Sequence, residues 1–119
     1  MIKLELTEQD HVLIRKICEL QLNSFQKILA SPKKTSIREK LIEYHLSETE
    51  LKSMIRGVAE QYREIQLTPA ALFHTHADLL GNFREALDFN SSGLSDFSEN
   101  IPSLLRKLDL AIYILQNKN

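Results

Sequence analysis

The chain is poor in the residues that interrupt or crosslink structure: one cysteine, three glycines, three prolines and no tryptophan in 119 residues. A lone Cys18 excludes an intrachain disulfide and any metal framework built on several thiolates. Among apolar neighbours it reads as a small buried hydrophobe. Gly57, Gly81 and Gly93 stand apart, so no glycine-rich loop can cradle a phosphate. Charge of one sign is also missing. Lys and Arg number 15 against 16 for Asp and Glu, a net charge of −1, which removes the electrostatic case for nucleic acid as a partner. No run approaches the roughly 20 apolar residues of a membrane span, so no membrane partner is expected. Glu5 and Glu8 fall where a secretory leader would keep its apolar core, and the expected compartment is the cytoplasm.

What is present is helical patterning. Hydrophobic residues make up 43% of the chain and charged residues 26%, values that suit one globular domain over residues 1–119. Residues 1–6 alternate apolar and polar side chains, too briefly for a strand, and read as an extended lead-in. Thr7 then serves as an N-cap, with acids at Glu8 and Asp10, and a helix is predicted over 8–30, ended by Ser31-Pro32. Its apolar residues, from Leu13 and Ile14 to Ile28 and Leu29, fill about half of its circumference at ~100° per residue. Gln21 lies near the centre of that arc. A buried amide needs a partner, so Gln21 is either bonded to another helix or turned to a partner chain.

Ser36 with Glu39 matches a capping box that opens a shorter helix over 37–45. Ser47 with Glu50 makes a second, and Leu46 with Leu51 occupies the two positions of a hydrophobic staple. The helix that follows is predicted over 48–66, with Leu51, Met54, Ile55, Val58, Ala59, Tyr62 and Ile65 on one stripe. Thr68-Pro69 opens a further helix over 69–88, or kinks one longer helix. Residues 90–98 read as a loop, and a last helix is predicted over 100–116. Its inward stripe holds Leu104, Leu105, Leu108, Ala111, Ile112 and Leu115. Leu110 and Ile114 lie roughly 120–155° from the centre of that stripe. Two aliphatics on adjacent turns of an outer face make a contact surface for a second copy.

Candidate chemistry is sparse. His74-Thr75-His76-Ala77-Asp78 resembles the His-x-His-x-Asp metal motif of metallo-β-lactamase-like hydrolases over five residues. Leu79 stands where that family carries its next histidine, and on a helix His74 and His76 point about 160° apart. His76 falls within the apolar stripe of its helix, the position of a hydrogen-bonded core histidine. A dispersed metal site would need His11, His45 and His76 to converge from three helices, without the Glu-x-x-His spacing of bundle metal proteins. Arg38-x6-His45 resembles the Arg/His motif of HEPN helical ribonucleases, which act on RNA across a dimer. The resemblance implies His45 as general base and Arg38 stabilising the phosphorane charge.

The sequence therefore predicts an all-α, up-and-down bundle of four main helices plus one shorter helix, with no cofactor. The expected function is that of a non-catalytic protein-interaction or regulatory module. It would form a homo-oligomer and engage an unidentified protein partner, with Leu110, Ile114 and Gln21 as interface residues. The alternatives are a HEPN-like ribonuclease using Arg38 and His45, and a bundle-core metal protein using His11, His45 and His76.

Overall fold

The computed structural model describes residues 4–30, 48–69 and 77–117. Among them are four α-helices and no strand: α1 (Glu8–Ala30), α2 (Glu48–Leu67), α3 (Ala77–Phe89) and α4 (Ile101–Gln116). The fold is all-α. The shorter helix expected over 37–45 lies outside the described residues, as does most of the stretch joining α2 to α3.

Helix α1 begins where its caps dictate. The Thr7 hydroxyl accepts a hydrogen bond from the Asp10 amide at 3.2 Å, and the Asp10 carboxylate accepts one from the Thr7 amide at 3.1 Å. This is a reciprocal capping box with Asp in the place usually taken by Glu or Gln. Leu4 and Leu6 of the lead-in pack into or against the core beside it. Helix α2 stops at Leu67, just before Pro69, whose missing N–H and fixed φ suit a break. In α4, Pro102 sits in the first turn, where no intrahelical donor is lost.

The helices pair α1 with α2 and α3 with α4, while α1 also touches α3. Ile28 clusters with Leu51 and Ile55, while Phe25 meets Tyr62 at a ring-centroid distance of 5.7 Å. Late residues of α1 thus face early residues of α2, and the two run antiparallel. The main core gathers Leu13, Ile14, Ile17 and Cys18 of α1, Tyr62 and Ile65 of α2, Leu80, Phe83 and Leu87 of α3, and Leu104 and Leu108 of α4. Burying each large aliphatic or aromatic side chain here contributes about 1.5–3 kcal/mol.

The segment between α3 and α4 is more ordered than its composition suggests. Two short 3₁₀ turns, Ser91–Gly93 and Ser95–Phe97, are held by local bonds such as Leu94 N–H to Ser91 O and Phe97 N–H to Leu94 O. Leu94 is fully buried and Phe97 packs on the core. Turns this short show too few apolar residues to leave a periodic signal.

Asn90, just after α3, ties this segment down. Its Nδ2 donates to Ala86 O at 2.7 Å and to Gln21 Oε1 at 2.8 Å. The Gln21 carbonyl thereby finds a donor within the chain, in the residue that follows α3. Asn90→Ala removes both bonds and leaves the half-buried Gln21 carbonyl without its donor. A loss of about 1–2 kcal/mol is expected in urea-unfolding free energy, and an unchanged midpoint would show that the end of α3 is held to the middle of α1 by other contacts.

Candidate functional site

Two surfaces stand out once the core is assembled. The first is the outer face of α4. Leu110, Tyr113 and Ile114 are 60%, 65% and 40% exposed, and at spacings of three and four they form one apolar ridge. Arg106, one turn before Leu110, is also exposed and extends the same face. Leu104, Leu108 and Ala111 hold the opposite side of the helix in the core. The side of α4 near α3 is fixed by Arg84, whose Nε reaches Asp109 at 2.7 Å and whose NH1 reaches Asp88 at 2.7 Å. Both acids raise the affinity of this guanidinium for its proton, the hydrogen bond to Asp109 most of all.

The second surface is a trough between α1, α2 and α3. A cavity of about 440 Å³ is lined by Gln21, Phe25, Val58, Tyr62, Asn82, Glu85, Ala86 and Phe89. Gln21, Phe25, Val58 and Phe89 also line a second cavity of about 150 Å³, which continues along Ser24, Ile28, Met54 and Ile55. The trough exists because the apolar arc of α1 is covered unevenly. Leu13, Ile14, Ile17 and Cys18 are fully buried, whereas Leu22, Phe25 and Leu29 are only half-buried. Met54 belongs to the stripe read for its helix yet is 45% exposed, and Phe89 at the end of α3 is 63% exposed.

The polar groups of the trough lie toward one end. The Tyr62 hydroxyl donates to Asn82 O at 3.1 Å, which pins α2 to α3. Burial raises its pKa, and the neighbouring Cys18 and Glu85 push it further up. It remains a neutral donor at any physiological pH. Burial also pushes the Cys18 thiol up to about 12, so the sulfur is an inert packing group rather than a nucleophile.

The residues singled out in the sequence fall as follows. Leu110 and Ile114 are on the α4 ridge, and Gln21 lines the trough with its carbonyl bonded to Asn90. His11 is half-buried on α1. Asp78 is exposed in the first turn of α3. Arg38, His45, His74 and His76 lie outside the described residues, and with them the ribonuclease and three-histidine alternatives. Among the described residues no three His, Cys, Asp or Glu side chains gather in a way that could hold a metal ion. No described helix is long and apolar enough to cross a membrane.

Periodicity missed two features. Phe89 joins a surface that only the packing reveals, and Tyr113 joins Leu110 on the outer face of α4, where the rotation about the helix axis also places it. Asp10 does more than cap: Lys107 of α4 donates to its Oδ2, closing an ion pair between residues 97 positions apart. No family model, curated protein or solved structure matches the chain.

Proposed function

We propose that the protein is a small helical interaction module that self-associates through the outer face of α4. The observation that carries this reading is the ridge of Leu110, Tyr113 and Ile114, three large apolar side chains on adjacent turns, each at least 40% exposed. Single exposed aliphatics are ordinary on a protein surface, but a contiguous ridge with an aromatic at its centre has the composition of an interface core. A regulatory role in the cytoplasm, with a further protein as partner, is part of this proposal.

Sedimentation equilibrium over a concentration series tests the reading. The wild-type protein should show a concentration-dependent mass above that of one chain. Leu110→Glu and Ile114→Glu each place a charge in the buried centre of the contact and should weaken association about 30-fold or more. Both positions are exposed in the single chain, so its helicity and melting temperature should stay unchanged. A protein that remains one chain at all concentrations would remove the proposal.

A further inference from the structure

We infer that the trough between α1, α2 and α3 receives the α4 ridge of a second copy of this chain. The inference rests on the self-association proposed above and supplies its acceptor surface. Three observations carry it.

The first is fit of form. The wall that α3 presents to the trough is Asn82, Glu85, Ala86 and Phe89, spaced i, i+3, i+4 and i+7 and thus about 10.5 Å long. The ridge on α4 runs from Arg106 through Leu110 and Tyr113 to Ile114, spaced i, i+4, i+7 and i+8 and about 12 Å long. A ridge that is charged at Arg106 and apolar from Leu110 to Ile114, laid along a wall that is polar at Asn82 and Glu85 and apolar at Ala86 and Phe89, is the helix-in-groove mode of recognition.

The second is charge. Glu85 stands at the same end of the trough as Tyr62, and Met54 and Ile55 at the other. Arg106 stands at one end of the ridge and Ile114 at the other. With Arg106 at Glu85, the aliphatic end of the ridge falls on the aliphatic end of the trough. Neither Glu85 nor Arg106 has an ion-pair partner among the described residues.

The third is that a chain cannot fill its own trough with its own ridge. Arg84 marks the side of α3 that meets α4, and Asn82 projects about 160° away from it. The ridge likewise points away from the core side of α4, where Leu104 and Leu108 are buried. A donor and an acceptor on separate faces require another copy. Two copies close on each other where the exchange is mutual, and otherwise extend as a chain.

Charge reversal tests this. Arg106→Glu and Glu85→Arg, both at exposed positions, should each weaken association about tenfold by setting like charges together. The double variant should recover to within about threefold of wild type. Circular dichroism and sedimentation of each variant at low concentration verify a folded single chain. Recovery in the double variant establishes the trough as acceptor. If Leu110→Glu abolishes association while Glu85→Arg leaves it intact, or if the double variant is no better than the singles, the ridge pairs with something else and the inference fails while self-association stands. A wild-type protein that never exceeds one chain in mass overturns both.

Discussion

Phe83→Ala is expected to lower the free energy of unfolding by about 3–5 kcal/mol. Phe83 is fully buried in the middle of α3 and belongs to a cluster with members from the lead-in, all four described helices and the 3₁₀ segment. Removing the ring subtracts its transfer free energy and leaves a cavity whose walls are held by several elements at once. Collapse around it would require those elements to move together, so the cost should fall at the upper end of the range for such changes. Since a domain of this size has a total stability of about 5–15 kcal/mol, the variant should be marginal at 25 °C. Urea unfolding followed by circular dichroism measures it. A loss below about 1 kcal/mol with an unchanged slope would mean that the core around α3 repacks freely.

The second large effect is expected at Lys107. Its ammonium reaches the Asp10 carboxylate, whose side chain is 3% exposed, while the lysine itself keeps 27%. Burial works to raise the Asp10 pKa. The hydrogen bond from Lys107, the Thr7 amide and the nearby ammonium charge outweigh it, and the net pKa is lowered. Lys107→Met keeps the length of the side chain but leaves a buried carboxylate with only its Thr7 bonds. Breaking a fully buried pair costs about 3–5 kcal/mol. With Thr7 still in place and the lysine end partly hydrated, about 2–3 kcal/mol is expected at neutral pH.

The pH dependence carries the sign. A carboxylate whose folded pKa lies below its unfolded value adds stability that is present above the unfolded pKa, near 4, and is lost as pH falls through the folded one. Wild-type stability at this site should therefore hold through neutral pH and decline only below about pH 4. In Lys107→Met burial is offset only by the Thr7 bonds, and the folded pKa rises. The variant should then lose less on acidification than the wild type, and the two stability curves should converge at low pH. Parallel curves between pH 7 and pH 3 would show that Asp10 does not depend on Lys107.

Much of the fold is legible in the chain because its determinants are local. The helix predicted over 8–30 is α1, Glu8–Ala30, since Thr7 caps one end and Ser31-Pro32 follows the other. The helix over 48–66 is α2 to within a residue, and the last helix begins at Ile101 rather than residue 100. Capping bonds and proline act within a turn of where they stand, so their spacing is enough. The outward placement of Leu110 and Ile114 was also legible, because rotation about one helix axis follows from numbering alone.

Other features were not legible, because they depend on which helix lies beside which. Leu22, Phe25 and Leu29 share an arc with Ile14 and Ile17, yet Ile14 and Ile17 are fully buried while Leu22, Phe25 and Leu29 are only half-buried. Asn90 looked like loop composition and proved to be a buried tie to Gln21.

The sequence by itself determined that this protein is helical, where α1, α2 and α4 start and stop to within a residue, and which side of each is apolar. Those properties reside in side chains three or four positions apart. Only the tertiary structure decided how far each apolar side is covered, that Asp10 meets Lys107, and that a trough is left beside Phe25 and Phe89. Such outcomes depend on contacts between residues tens of positions apart, whose distances no repeat along the chain encodes.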